Sequence, residues 1–365
     1  MSWDKIKLSF TPNNVMQQRD REEYIDILKA IAAFFTVFYH FAYYKLDYGF
    51  VTASATYFPN TNRVFMCLAS CCVPIFFMVN GSLLLRKKHT WKSMYAKALK
   101  ILVLTVVWSF LKFPSWFFKT LAILYMLFPL FQYFYEKKRA LYYTVMLLIF
   151  AFPFSYNAII LLLKILYPWL EFHLFGRTIN INSTSVTGFF TMYSVLYFLL
   201  GPIFSKKKIA IGYGIAAVVT GVGLVVLECA IYTNMSGTMY DGVNAAFPTY
   251  GALLLSVGIF IIVKRTTKKR LRILDTIRYQ ILPIYLLHMA LIHLAGRTVG
   301  LTHITLLPAI ASTILILIIY VQASEVLSTG FRFYAGLYEF EAENCAKRDY
   351  TNSAEVEKIY ALMED

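Results

Sequence analysis

The stretch KAIAAFFTVFYH, residues 29–40, places a lysine and a histidine at the two ends of an otherwise apolar run. Ionisable groups are costly in hydrocarbon and are rare in membrane spans unless they have a function. Lys29 and His40 are separated by almost three helical turns, so both side chains leave one face of a helix, about 16 Å apart along its axis. Asp26, one turn before Lys29, extends this polar stripe and is placed to pair with the ammonium group. The same spacing also fits a lysine that snorkels to the headgroups and a histidine satisfied by a neighbouring helix.

The composition of the 365-residue chain is that of a protein whose solvent is lipid. Mean hydropathy is +0.59, and 59% of the residues are hydrophobic whereas only 15% are charged. Repeated apolar runs of about 17 to 25 residues are long enough to cross a bilayer core as helices, and the short alternating segments of an outer-membrane barrel are absent. We therefore predict an all-α, polytopic membrane protein. Residues 1–23 are polar and mixed in charge, unlike a cleaved signal peptide, so the first span is expected to direct insertion.

About ten transmembrane helices are predicted, with both termini cytoplasmic. Their approximate ranges are 24–45, 64–85, 98–113, 117–135, 140–154, 187–204, 209–232, 247–263, 279–296 and 304–328. Residues 157–170 are also apolar, but a crossing there would reverse the side of every later basic loop, so we expect an external interfacial or re-entrant helix. The polar segments 46–63, 171–186 and 233–246 then lie outside. The membrane domain is 24–328, between a cytoplasmic segment, 1–23, and a cytoplasmic tail, 329–365.

The formal net charge of +15 is concentrated between the apolar runs. Four clusters hold 19 of the 35 Lys and Arg residues: Arg86 to Lys100, Lys137 to Arg139, Lys206 to Lys208 and Lys264 to Arg278. Such an excess of basic residues in alternate loops is the positive-inside pattern of membrane proteins. The chain has no soluble domain with interleaved aromatic and basic residues, so nucleic acid is not expected as a partner. Membrane lipids are expected as partners.

The five cysteines do not form a recognisable metal or disulfide pattern. Four of them, Cys67, Cys71, Cys72 and Cys229, lie in apolar runs, and the fifth is Cys345. No CxxC pair or histidine-rich zinc spacing occurs, so we predict reduced packing residues and no metal.

Three segments within residues 26–104 carry a resemblance to a known family. DILKAIAAFFTVFYH, 26–40, matches a motif of Arg, ten residues and His, with Lys29 in place of Arg and His40 in register. VPIFFMVNGSLLL, 73–85, is similar to a "VPLFFMISGYLL" segment, with Asn80 where Ser is usual and Gly81 retained. SMYAKALKILVL, 93–104, is similar to a segment with two Arg three apart, which are Lys97 and Lys100 here.

Three later segments follow in the same order. SWFFKTLAILYMLFPLF resembles a Trp-rich span, YSVLYFLLGPIFSKKK a "YFLLGY" segment, and LPIYLLHMAL a late "YLIH" segment that ends in His288. Together the six segments resemble the acyltransferase 3 family of integral membrane O-acyltransferases, which acetylate glycans of the bacterial envelope. The departures are Arg to Lys at three positions; lysine keeps the charge but loses the planar fork that binds a phosphate bidentately.

The resemblance implies transfer of an acetyl group from cytoplasmic acetyl-CoA to a hydroxyl of a polysaccharide or lipid-linked glycan, in the bacterial inner membrane. Lys29, Lys97 and Lys100 are then candidates to neutralise the phosphates of CoA, with topogenic charge as the alternative for the last two. His40 is the candidate general base, or a covalent relay that is itself acetylated.

Asp26, His288 and Asn80 complete the predicted catalytic residues. Asn80, or backbone amides near Gly81, are candidates to stabilise an oxyanion, and asparagine as a link between helices is an equal alternative. His288 and His293 differ in phase by about 140° on one helix and are not a metal pair.

The remaining histidines, His89, His173 and His303, are expected to be solvated. A glycan exporter, in which Asp26, Lys29 and His40 line a translocation path without chemistry, is the competing function. No GxSxG or HExxH motif supports a lipase-like triad or a zincin.

Overall fold

The computed structural model describes most of the chain between residues 23 and 267. The described residues are 23–45, 67–110, 116–167, 171–174, 177–180, 192–236 and 249–267, with 288, 292, 313–315, 317 and 318. The helices are α1 Glu23–Lys45, α2 Cys72–Leu84, α3 Trp91–Phe110, α4 Trp116–Lys137, α5 Arg139–Ile149, α6 Ser155–Leu166, α7 Met192–Lys206, α8 Ile211–Ser236 and α9 Tyr250–Thr266. A 3₁₀ turn, Ala69–Cys71, leads into α2.

The helical character of the prediction is confirmed for these residues. Three of the helical stretches that the structure describes are long and apolar enough to cross a membrane, by length and composition: Trp116–Lys137, Arg139–Leu163 and Ile211–Ile231. The predicted spans 279–296 and 304–328 lie almost wholly outside the described residues. The count of ten spans and the cytoplasmic location of both termini therefore stay predictions.

Residues 139–166 form one continuous helix, which corrects two of the predicted elements. A π-helical segment, Phe150–Phe154, joins α5 to α6 and contains Pro153. A proline ring clashes with the carbonyl four residues before it in an α-helix, and the wider π turn relieves that clash. The separate external helix predicted at 157–170 is thus wrong, because residues 157–166 continue the helix predicted to end at 154; residues 168–170 lie outside the described part of the chain. This correction does not change the predicted number of membrane crossings, because neither a separate external helix nor a longer fifth helix adds a crossing.

One short hairpin departs from the all-α prediction. Strand β1, Glu171–Leu174, pairs antiparallel with β2, Arg177–Asn180, and Glu171 is opposite Asn180. The segment EFHLFGRTIN was predicted as part of a polar external loop. Its alternation of Phe172, Leu174 and Ile179 with polar residues is typical of a strand.

Glycine sets how closely α2 and α7 approach. A Cβ added at Gly81 would overlap the backbone carbonyl of Phe198, and one added at Gly201 would overlap the carbonyl of Met78. Small residues at such crossings let the two backbones touch, which is how helices associate where no hydrophobic force acts between them. The same device joins α8 to α9, where Gly221 lies against the backbone of Leu255. Gly81 is therefore a packing residue inside a helix. The oxyanion role suggested for backbone amides near Gly81 stays a prediction.

A cluster of hydrogen bonds, here called the Ser205 clamp, ties four helices together at one end of the bundle. The Ser205 hydroxyl lies 2.7 Å from the Tyr24 hydroxyl of α1 and accepts a 2.7 Å hydrogen bond from Nη1 of Arg86, which follows α2. Lys264 of α9 donates from Nζ to three carbonyls at the end of α7: those of Phe204 at 2.8 Å, Lys207 at 2.9 Å, and Ser205. A cation at a helix C-terminus satisfies carbonyls that have no helical partner and complements the helix dipole.

The clamp gathers basic clusters from separate loops at the same end of the bundle. Arg86 and Lys264 reach α7 immediately beside Lys206, and Lys206 lies 4.8 Å from the ring centre of Tyr135, near the end of α4. The described parts of all four basic clusters therefore share one end, here called the basic end. This is the arrangement that the positive-inside pattern requires.

Candidate active site

His40 lies near the end of α1 that is remote from the basic end, and its ring is oriented by its own helix. Nδ1 is 2.8 Å from the backbone carbonyl oxygen of Thr36, one turn earlier. Because a carbonyl oxygen only accepts hydrogen bonds, this contact fixes the hydrogen on Nδ1. In the neutral ring, Nε2 then carries the lone pair. The site thus holds the imidazole in the tautomer that a base or a nucleophile needs.

The structure brings His288 directly against His40. Nε2 of His288 is 3.3 Å from Nδ1 of His40, and the ring centres are 4.8 Å apart at an interplanar angle of 60°. His288 is only 2% exposed. Since the hydrogen on Nδ1 of His40 is directed to Thr36, His288 shares it only by accepting through a bare Nε2. Both histidines were predicted from the sequence, but their contact was not, because helix phase says nothing about partners 248 residues away.

Thr36 is a residue of the site that the sequence analysis missed. Its hydroxyl donates to the Ala32 carbonyl at 2.8 Å and lies beside the Cys72 thiol of α2. Its carbonyl holds His40. The available signal was a threonine four residues before the histidine, the spacing at which side chains reach the previous turn of a helix.

Asp26 and Lys29 form the expected pair one turn apart. Nζ of Lys29 is 3.9 Å from Oδ1 of Asp26, and the side chains are 23% and 6% exposed. The prediction that Asp26 holds the ammonium group is confirmed. The pair lies on the same helix as His40 and toward the Ser205 clamp, so the cationic group is nearer the basic end and the imidazole farther from it.

Asn80 links two helices. Its amide nitrogen donates to the Phe76 carbonyl at 2.8 Å, and its Oδ1 accepts from the Tyr125 hydroxyl at 3.2 Å. These contacts are those of the helix-linking alternative, and an oxyanion role for Asn80 stays a prediction. Tyr125 was not identified from the sequence, because its spacing in α4 is that of an ordinary core aromatic residue.

Lys97 and Lys100 lie on α3, and their environments differ. Lys100 is exposed, whereas Lys97 is half-buried and close enough to His89 to act on it electrostatically. His89 was expected to be solvated, and this expectation is wrong. Its ring lies 5.6 Å from that of the fully buried Phe128, and Nε2 is buried without a hydrogen-bond partner in the part of the chain that the structure describes. His293 and His303 lie outside the described residues.

Within the described residues, no group of three or more His, Cys, Asp or Glu side chains could hold a metal ion. In the same part of the chain, Cys67, Cys71, Cys72 and Cys229 are buried and form no disulfide. The contacts that the structure gives between His40, His288 and Thr36 are hydrogen bonds and one ring contact.

The comparison with protein families agrees with the sequence motifs. The acyltransferase 3 family model, described as an acyltransferase domain, matches residues 22–114. This match contains His40, Lys29, Asp26, Asn80 and the two α3 lysines, and it covers about a quarter of the chain. The resemblance is confirmed over this region, and the domain indicates a membrane acyltransferase. The three later segments, including the one that ends in His288, lie outside the match.

No curated protein and no solved structure matches the chain.

Proposed function

We propose that the protein is an O-acetyltransferase of the bacterial inner membrane. It moves an acetyl group from cytoplasmic acetyl-CoA to a hydroxyl of a cell-envelope polysaccharide or a lipid-linked glycan. The observation that carries this proposal is the His40 ring, held by the Thr36 carbonyl with Nε2 left to react. The acyltransferase domain at 22–114 supports the reaction class.

The donor is proposed to approach from the basic end. CoA carries a pyrophosphate and a 3′-phosphate, and lysine binds phosphate as a point charge. Lys29, Lys97 and Lys100 are the candidates for this role. Lys29 is held by Asp26 at 3.9 Å, so Asp26 would fix the position of the ammonium group that meets the phosphate.

In the first version of the mechanism His40 is a general base. Nε2 takes the proton of the acceptor hydroxyl while the hydroxyl oxygen bonds to the carbonyl carbon of acetyl-CoA. The carbon–sulfur bond then breaks, and the CoA thiolate takes the proton from the imidazolium to leave as a thiol. A positioned base contributes about 10² to 10⁴ to the rate of such a step.

In the second version His40 is a covalent relay. Nε2 attacks the thioester carbon, the thiolate leaves and takes a proton from water at the donor face, and an acetyl-imidazolium forms, because the hydrogen stays on Nδ1. The acceptor hydroxyl then attacks the acetyl carbon, the nitrogen–carbon bond breaks, and Nε2 takes the hydroxyl proton and releases it to water at the acceptor face. This version separates donor and acceptor in space, which suits a donor at one membrane face and an acceptor at the other.

His288 is a positioning residue in both versions. By accepting at 3.3 Å from the Nδ1 hydrogen of His40, it would strengthen the tautomer that leaves Nε2 bare and would stabilise the imidazolium of the base mechanism. Asn80 is proposed to donate to the oxyanion through its second amide hydrogen. A hydrogen bond of this kind is worth about 2.7 to 4 kcal/mol where it acts only in the transition state.

The test is a turnover assay with purified protein in nanodiscs. Acetyl-CoA labelled in the acetyl group is supplied with membranes of the producing bacterium, and both CoA release and label in glycan are followed. If the protein is an acetyltransferase, CoA release and label in glycan should be equal in amount. A rapid-quench experiment separates the two mechanisms, because only the covalent relay leaves label on the protein. Transport of glycan without thioester consumption would instead identify an exporter.

A further inference from the structure

One side of α3 carries a row of large side chains that no part of the protein covers. Its members are four residues apart, or three at the last step, so they lie on one face of the helix, within about 120° of each other. Each is between 43% and 62% exposed: Trp91, Tyr95, Leu99, Val103 and Val106. The buried residues of α3, Met94, Ala98, Ile101 and Thr105, lie on a different face. The row, here called the α3 outer face, is therefore open to the surroundings of the protein.

The α3 outer face changes character along the helix axis. Trp91 and Tyr95 lie at the basic end, before the predicted span 98–113, and the aliphatic members lie within that span. Trp and Tyr favour the headgroup level of a membrane, because their rings are apolar at one end and polar at the other. The row is about 22 Å long from Trp91 to Val106, and one leaflet with its headgroups is about 20 to 22 Å thick. Its length and its order of residues therefore match one phospholipid, from headgroup to acyl chains.

Lys92 adds a positive charge at the headgroup end of this row. Its side chain is exposed and lies about 100° around the helix from Trp91, within the face that the row covers. Nζ of Lys92 is 5.6 Å from the centre of the Trp91 ring, and the Trp91 ring meets that of Tyr95 edge-on at 5.8 Å. A cation–π contact of this kind holds the ammonium group beside the indole. The indole N–H is a second hydrogen-bond donor at the same place.

The stretch of chain around Lys92 supplies no negative charge. Residues 48–135 contain neither Asp nor Glu. Glu136, the next acidic residue and near the end of α4, accepts a hydrogen bond from Gln132 at 3.0 Å. Anionic headgroups attract basic side chains at a membrane surface, whereas zwitterionic headgroups carry no net charge. Charge complementarity therefore favours an anionic phospholipid at the α3 outer face.

We infer that the α3 outer face binds an anionic phospholipid, with the headgroup phosphate against Lys92 and Trp91 and the acyl chains along the aliphatic members of the row. This surface is separate from the proposed donor site. Lys97 is half-buried and lies about 240° around the helix from Trp91, on the side away from the row. The inference goes beyond the proposed function and does not depend on acetyl transfer.

The experiment is tryptophan quenching by brominated lipids, with the full chain in nanodiscs of phosphatidylcholine and phosphatidylglycerol. In one sample the phosphatidylglycerol carries bromine near the headgroup, and in the other the same amount of phosphatidylcholine does. The chain has five tryptophans, so the signal of Trp91 is the difference between each protein and the same protein with Trp91→Phe. Lys92→Gln removes the charge, and Lys92→Arg keeps it. Lys138→Gln removes another exposed lysine at the basic end and is the matched control.

We expect phosphatidylglycerol to be preferred over phosphatidylcholine at Trp91 by about 5-fold in the wild type, Lys92→Arg and Lys138→Gln, and the preference to disappear in Lys92→Gln. An equal loss in Lys92→Gln and Lys138→Gln would show that only the total charge of the basic end matters, and would overturn the site. Equal quenching by the two brominated lipids in the wild type, or quenching by neither, would overturn it as well. Each of these results would leave the acetyltransferase proposal standing.

Discussion

Nε2 of His288 lies 3.3 Å from Nδ1 of His40, and the Thr36 carbonyl lies 2.8 Å from the same Nδ1. Two acceptors thus converge on one hydrogen of His40. The nitrogen proposed to react is Nε2 of His40. The contributions of the Thr36 carbonyl and of His288 to its reactivity can be tested separately.

His288→Gln should retain more activity than His288→Phe. A glutamine side chain places an oxygen near the position of Nε2 and continues to accept the hydrogen bond, whereas phenylalanine fills the space without accepting. Losing one hydrogen bond of about 1.4 kcal/mol predicts a difference of about 10-fold in kcat. The measurement is acetyl transfer by both variants at saturating acetyl-CoA. Equal loss in both would indicate that only the shape of His288 matters.

Lys29→Arg should keep or raise the affinity for CoA, and Lys29→Gln should lower it. Arginine preserves the charge and adds the planar fork that pairs bidentately with phosphate, and it restores the residue usual at this position of the motif. Glutamine leaves the buried Asp26 without its cation. Equilibrium binding of CoA checks the order of the three proteins. Indistinguishable affinities for Gln and Arg would remove Lys29 from the donor site.

Gly81→Ala should destabilise the protein strongly. The added methyl would overlap the Phe198 carbonyl where α2 crosses α7, and the two backbones would have to separate. Overpacking of this kind costs about 1 to 3 kcal/mol. Gly223→Ala is the matched control, because a Cβ at Gly223 in α8 meets nothing within 4 Å. Thermal unfolding in nanodiscs should drop for Gly81→Ala only, and comparable values for both would refute the close crossing.

Lys264→Met should loosen the Ser205 clamp. The methionine keeps the aliphatic volume but leaves the carbonyls of Phe204 and Lys207 without their donor. Each carbonyl left unsatisfied costs about 1 to 3 kcal/mol. Arg265→Met, at the exposed neighbouring position, removes the same charge. Its free energy of unfolding should stay within about 0.5 kcal/mol of that of the wild type. A clamp without structural importance would give two variants with the same unfolding temperature.

Much of the helical framework follows from the sequence because apolar length is a strong signal. The first predicted span, 24–45, agrees with α1 at Glu23–Lys45, since a run of this length has few alternatives in lipid. The end of the fifth predicted span, 140–154, was placed too early, because Pro153 and the polar residues after it were taken to end the helix. Ser155 is hydrogen-bonded to Tyr250 at 2.8 Å, so a polar residue that reads as a helix end is instead satisfied by another helix.

The site divides in the same way. Asp26, Lys29 and His40 were placed correctly on one face because their spacing is local. The contact of His40 with His288, and the burial of His89 against Phe128, depend on packing between helices. Gly81 illustrates the limit most clearly, because its role in the close approach of α2 to α7 depends on the Phe198 carbonyl, which the local sequence does not indicate.

The central claim is that Nε2 of His40 performs the chemistry, and His40→Asn tests it most directly. The asparagine amide reproduces Nδ1 and its hydrogen bond to the Thr36 carbonyl, but it has no counterpart of Nε2. Acetyl transfer from labelled acetyl-CoA should fall by about 10² to 10⁴, as for His40→Ala, while thermal unfolding stays close to wild type. Full acetyl transfer by His40→Asn would contradict the account.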